Sequence, residues 1–258
     1  MDVKLIKAIV IGDGCLDIHK RYRNARFTCC HSVKQKDYLL WKQDLLTASG
    51  LQTRYDEFWN TTNPHTGKKA LMCRIESVVS PVLTVLREMM YPRIDGFKPG
   101  VLDDLEDIHL AIIFMDDGSR AVQKKVGSTI DGKYASIPCE PWISQFRISM
   151  QAYGYGGCIQ FCDWMYRKFG IRAKAYKQGN GYVVVVQRQS DKARFVDVVR
   201  PFIHPSLVYK IEGTFEKHVI RRERLSKKAP EENRAMRQSE LAGNEPQEGE
   251  PKSSPRQL

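Results

Sequence analysis

The chain of 258 residues has no stretch approaching the roughly 18 consecutive apolar residues of a membrane span, so no spanning helix is expected. Its opening, "MDVKLIKAIVIGDG", has an apolar core too short, and too promptly followed by charge, for a signal peptide. Any Cys-x-x-Cys pair is missing too. The seven cysteines (Cys15, Cys29, Cys30, Cys73, Cys139, Cys158, Cys162) are odd in number, which argues against a disulfide framework, and their spacing excludes a zinc ribbon; reduced thiols fit best. Cys158 and Cys162 stand four apart, as ligands on one helical turn would, but cysteine also serves as a small buried hydrophobe. A soluble, intracellular protein is expected. From Ser226 onward there is no aromatic residue and there are four prolines, too little apolar surface to offset the entropy of ordering, so 226–258 reads as a disordered tail.

Positive charge is what the chain has in excess. Lys and Arg number 41 against 30 Asp and Glu, a formal charge of +11. The tail carries six of each sign, so the whole excess lies on residues 1–225 and points to a polyanionic partner, a nucleic acid or an anionic membrane.

Those 225 residues read as one pattern written twice. In the first copy "LIKAIVIGDG" is an apolar helix, "CLDIHKRY" and "ARFTCCH" are strands, and "KDYLLWKQDLLTASG" is an amphipathic helix stopping at Gly50. Strands "LQTRYDEFW" and "KALMCRIES" follow, separated by the loop "NTTNPHTGK", and then the helix "SPVLTVLREMMY". In the second copy the order is the helix "LEDIHLAIIFMDDG", the strand "WISQFRISMQ", the helix "GGCIQFCDWMYRKFG", the hairpin "IRAKAYKQGNGYVVVVQRQ" and the helix "SDKARFVDVVRPFI". The largest insertion, "SRAVQKKVGSTIDGKYASIPCEP", falls after Asp117, and "IEGTFEKHVIRRERL" spaces its apolar residues as a last helix. The predicted fold is therefore α+β, with two pseudo-symmetric αββαββα halves, residues 1–97 and 98–225, ahead of the tail at 226–258. Chance similarity between two α+β halves is the competing reading.

Each half opens on a nearly all-apolar helix that ends in an acid and a glycine: "IKAIVIGDG" and "LAIIFMDDG". Helices apolar on every face most economically bury against each other, which brings their ends together. Carboxylates there oppose the helix macrodipole and repel one another, so a cation has to compensate. A solvent-facing or capping Asp would explain one copy; two copies at matching places favour a shared site for a divalent ion with hard oxygen ligands.

The two segments resemble the paired motifs of the LAGLIDADG homing endonucleases in their single-chain, two-motif form, and "FIHPSLVYKI" is similar to a segment near the end of such enzymes. The resemblance covers about residues 5–215. It implies a DNA-binding saddle of antiparallel sheets with the motif helices at the central interface, and a monomer that makes staggered double-strand cuts with Mg²⁺ or Mn²⁺ in a long asymmetric site. Carried over, the metal ligands are Asp13 and Asp117, with Gly12 and Asp116 in the preceding places and Asp116 in a supporting role. Lys98 and Lys210, six and five residues after Pro92 and Pro205, are the basic candidates beside the metals. His31 and Gln151, at what read as matching strand ends, could order the hydrolytic water or contact the backbone near the scissile phosphate; ordinary hydrogen bonding is the alternative.

For DNA contact the candidates are Lys20, Arg21, Arg23 and Arg26 on or beside the first hairpin, and Arg54 and Arg74 on the second. In the other half they are Arg147, Arg172, Lys174 and Arg188. Such side chains pair with phosphates, and Arg also reads base edges in the major groove. The alternative function is a non-cleaving binder on the same scaffold, either a maturase for a host intron RNA or a DNA-binding regulator. A structural basic protein with a coincidental repeat would leave Asp13 and Asp117 far apart.

Overall fold

The computed structural model describes residues 1–60, 67, 69–93, 96–130 and 133–215, without the side chains of 124–140. The first half runs α1 (Val3–Ile11), β1 (Gly14–Asp17), β2 (Arg26–Ser32), α2 (Lys36–Ala48), β3 (Thr53–Trp59), β4 (Leu71–Ser77) and α3 (Pro81–Met90). The second runs α4 (Asp107–Asp117), β5 (Gly118–Ile130), β6 (Lys133–Ser149), α5 (Gly154–Phe169), β7 (Lys174–Gln178), β8 (Gly181–Val186) and α6 (Gln189–Val199). Both halves have the order αββαββα, and Met1–Phe215 form one compact unit.

The strands make two four-stranded antiparallel sheets of matching topology, β1-β2-β4-β3 and β5-β6-β8-β7. Alternation assigns the faces. On β2, Phe27, Cys29 and His31 are buried under the helices while Arg26, Thr28, Cys30 and Ser32 stand on the open face. At the centre α1 packs along α4, with Ile6, Ala8, Ile9, Ile112 and Ile113 sealed from solvent; each large aliphatic side chain so buried contributes about 1.5–3 kcal/mol.

Polar pins fix the register of these helices. Lys7, a lysine inside the apolar stretch, is buried with its ammonium 3.0 Å from Asp104. Lys4 pairs with Glu106, which forms a capping box with His109 at the start of α4.

Several expectations need correction. The strand expected through Tyr22 stops at Asp17, because the chain turns there with Tyr22 N–H donating to His19 O; Lys20, Arg21 and Arg23 are therefore exposed turn residues. The stretch after Asp117 is no loop insertion. It forms β5 and the first part of β6, one long hairpin paired from Gly118↔Ile148 to Ile130↔Lys133 with two register shifts. The helix expected through Ile203 ends at Val199, since Pro201 cannot continue it, and a 3₁₀ turn follows. Of the expected last helix, Ile211–Phe215 are non-helical, with Thr214 bridging to Trp142; its remainder and the tail lie outside the described residues. Among the described residues no helix is long and apolar enough to cross a membrane.

Candidate functional site

The site is built where α1 and α4 end. Gly12 caps α1 and sits against the second half: a Cβ there would lie 2.6 Å from Asp116 Cβ and 2.6 Å from Asp116 Oδ2. Only a residue without a side chain lets the two helix ends approach this closely. Gly14 and Gly118 then start β1 and β5, and a Cβ at Gly14 would meet the Ile9 carbonyl at 2.8 Å. The result is that Asp13, Asp116 and Asp117, from two halves of the chain, act on one another electrostatically.

Their environments divide them. Asp117 is the last residue of α4; burial, then the charges of Asp13 and Asp116, push its carboxyl up to about 7 against the pull of Lys210 and Arg93. Asp13 is raised as well, first by burial and then by Asp116, while its side chain keeps 37% of its surface exposed. Asp116 is different: its side chain is wholly buried and both its oxygens already accept from protein donors. Its Oδ1 accepts from Lys42 Nζ at 2.6 Å and from the Tyr38 hydroxyl at 2.8 Å, and its Oδ2 accepts from the Asp13 backbone N–H at 3.3 Å.

His31 is buried beside this network and held neutral, its pKa lowered to about 4 by burial and by Lys42. Its Nε2 lies 2.9 Å from Lys42 Nζ and its Nδ1 3.7 Å from Asp13 Oδ2. Asp13, His31 and Asp116 offer ligand atoms within 4.8 Å of one another, the one such group among the described residues. The chemistry of these donors narrows the group. With both Asp116 oxygens engaged by protein donors and His31 Nε2 facing an ammonium, the carboxylates of the site with no Lys or Arg ion pair among the described residues are Asp13 and Asp117. Two hard, partly exposed, mutually repelling carboxylates fit a cation that keeps several waters.

The basic candidates fall in different places. Lys210 is buried and donates to the Met115 carbonyl in the last turn of α4, with its charge acting on all three acids. Lys98 is exposed and donates to the Glu88 carbonyl on α3; the cation acting on Asp117 from that half is Arg93, which donates to Val10 O at 2.7 Å and to the Tyr91 hydroxyl at 2.8 Å. Gln151 does not match His31. Gly14 faces Cys29 and Gly118 faces Ile148, so the register places buried Met150 opposite His31 in the repeat; exposed Gln151 has left the strand for a 3₁₀ turn over Gly181.

Among the candidates for DNA contact, the open face of the first sheet is a ladder of alternating charge. Arg26 bonds Asp17 at 3.2 Å and Glu76, while Arg74 bonds Asp56 at 3.0 Å and lies 3.7 Å from Glu76. Arg54 is exposed across from Glu76. On the second sheet Arg147 and Lys174 both pair with Val185, beside Gln145, Tyr176 and Gln187. Arg172 precedes β7, and Arg188 follows β8 as the N-cap of α6.

Sequence reasoning missed Lys42, Tyr38, Arg93 and the acids of the first sheet. A signal for Lys42 existed: Tyr38, Lys42 and Leu46 share the buried stripe of α2, and a lysine at that spacing requires a buried acid.

Known proteins resemble this chain in both sequence and fold. Protein RecA of Mycolicibacterium flavescens is 27% identical over 219 residues, and that of Mycobacterium shimoidei 27% over 222, each match taking in 82% of this chain and 46% of the other protein. The chain thus spans about half the length of the curated relatives it matches. Among solved structures, the homing endonuclease I-WcaI bound to its DNA recognition sequence superposes with a TM-score of 0.66 at 16% identity, over 83% of this chain and 88% of that one, a likeness of fold. The family described as LAGLIDADG DNA endonuclease matches residues 5–193. Since that match takes in both motif helices and both sheets, the chain belongs to the LAGLIDADG DNA endonuclease family.

Proposed function

We propose that this chain is a site-specific homing endonuclease that makes metal-dependent, staggered double-strand cuts in a long, asymmetric duplex DNA site, working as a monomer. The observation that carries the reading is the pair Asp13 and Asp117. They come from the two halves at the ends of packed helices, each has a raised proton affinity, and neither is tied down by a direct ion pair with Lys or Arg among the described residues. A degenerate, non-cleaving relative would have no need to keep two such unfavourable carboxylates.

Asp13 and Asp117 would hold Mg²⁺ or Mn²⁺ through their carboxylate oxygens. When bound, the ion supplies Lewis-acid polarisation of the scissile phosphate and eases loss of a proton from an attacking water. Lys210 and Arg93 keep both helix ends in place through the Met115 and Val10 carbonyls, and their charge favours the ionised state of Asp117. The same positive charge beside the scissile phosphate opposes the negative charge that develops as the bond breaks. With one acid from each half about a pseudo-twofold axis, each strand would meet its own acid, and a double-strand cut follows. The first half, 1–97, and the second, 98–225, would each read one part of the DNA site through the open face of its sheet.

The test is selection of cleaved duplexes from a randomised DNA library by the purified protein with Mg²⁺, followed by Asp13→Asn and Asp117→Asn. Each variant is expected to lose double-strand cleavage while its DNA affinity changes by less than about threefold. Retained cutting by either would refute the assignment of the acids.

A further inference from the structure

We propose that Lys42 is a positioning residue for the acid of the first half, clamping Asp13 through Asp116 and His31, so that the two halves of the site are unequal: one acid is held, the other is not. This rests on Asp13 and Asp117 being the working acids.

The clamp crosses the central seam. Asp116 belongs to α4, whereas Lys42 and Tyr38 belong to α2, and both side chains of the Lys42–Asp116 pair have no exposed surface at all. Lys42 and Tyr38 occupy one oxygen of Asp116, which leaves the other for the backbone N–H of Asp13. The second arm runs through His31. An ammonium has donors only, so the His31 Nε2 that faces Lys42 at 2.9 Å is the bare nitrogen, and the ring proton sits on Nδ1, 3.7 Å from Asp13 Oδ2, an electrostatic contact and not a hydrogen bond, with the Gln35 side chain also bonding the ring. One buried lysine thus holds the backbone of Asp13 through Asp116 and sets which ring nitrogen of His31 its carboxylate faces.

The second half has no equivalent among the described residues. Met150 takes the register position of His31, and the buried face of α5 presents Cys158, Phe161 and Met165. Asp117 has only the charges of Lys210 and Arg93, whose nitrogens are bonded to backbone carbonyls. Loss of the clamp should therefore slow the cut on one strand and spare the other.

The decisive variant is Lys42→Met with Asp116→Leu, which replaces the ion pair by apolar side chains of similar volume and orphans no charge. The probe is the duplex the wild type selects from the randomised library, labelled on either strand in separate reactions with Mg²⁺. The double variant is expected to lose on the order of tenfold or more in rate on one strand only, so that nicked duplex accumulates while DNA affinity holds. Should it fail to fold, Tyr38→Phe removes a single O–H and is expected to give the same strand bias at about threefold. Equal slowing of both strands, or none, overturns the proposal. A wild type that cuts nothing would sink the nuclease reading, and the clamp then stands or falls on metal-free ¹⁵N-histidine spectra, with His31 assigned by His31→Gln. Wild type should show the Nδ1–H tautomer and Lys42→Met with Asp116→Leu the Nε2–H form that free imidazole prefers. An Nε2–H His31 in the wild type refutes the clamp whatever the activity.

Discussion

A carboxyl whose pKa is raised by folding is a carboxyl that folding strains when it ionises. Asp117, pushed up to about 7, therefore weakens the metal-free protein as pH rises from the ordinary carboxylate range through 7, the opposite of the usual acidic group. Metal-free Asp117→Asn is expected to be more stable than wild type at pH 8 by about 1–3 kcal/mol, after allowance for solvent screening, with the gain shrinking toward pH 4. Denaturant titrations at the two pH values measure it, and equal stability at pH 8 would contradict the strain. The same proton competes with a cation. Mn²⁺ affinity, followed by calorimetry, is expected to fall by about tenfold per pH unit below 7 in wild type, and to lose that slope in Asp117→Asn.

At the scale of elements the governing fact is how near α1 and α4 come at their ends. Gly12→Ala puts a methyl where Asp116 already is, and Asp116 cannot yield because Lys42 and Tyr38 hold it. A loss of about 1–3 kcal/mol is expected from such overpacking, readable as a drop in Tm. The helices themselves were legible in the sequence, because "IKAIVIGDG" and "LAIIFMDDG" are apolar on every face and stop at glycine. What the local pattern did not carry is long-range pairing. Lys42 and Asp116 lie 74 positions apart and meet only when the halves pack, so Asp116 read as a generic support and Lys42 was not singled out at all. Spacing after proline matched Lys98 with Lys210, yet Lys98 caps a carbonyl of α3 while Arg93, one residue after Pro92, faces the acids. The slip from Met150 to Gln151 is a single residue, enough in a strand to exchange a buried side chain for an exposed one. The long β5–β6 hairpin was hidden by its composition: Gly, Ser, Lys and Pro break the alternation that marks a strand, and only pairing with the partner strand makes it one.

Over the whole molecule the two open sheet faces differ in kind, and that difference predicts how a bound duplex would be read. Arg26 is held by carboxylates from both neighbouring strands and Arg74 by Asp56 of β3 with Glu76 of its own strand nearby, so their guanidinium forks are already oriented and already neutralised. Exchanging such a partner for a phosphate releases little net charge, but an oriented fork suits the two acceptors on a guanine edge. Arg147 lies among Gln145, Tyr176 and Gln187, Lys174 stands two residues before Tyr176 on β7, and neither makes an ion pair among the described residues, so charge there remains available to phosphates. Arg74→Ala is accordingly expected to relax preference at one base pair by about 1–3 kcal/mol and leave the salt dependence of binding nearly unchanged. Lys174→Ala should weaken all sequences alike and lower the slope of log affinity against log salt by about one. Binding titrations across a range of KCl, on the selected duplex and on single-base variants of it, separate the two. If Arg74→Ala lowers the slope as Lys174→Ala does while preference is untouched, the first sheet serves only as a charged surface and its acids orient nothing that reads sequence.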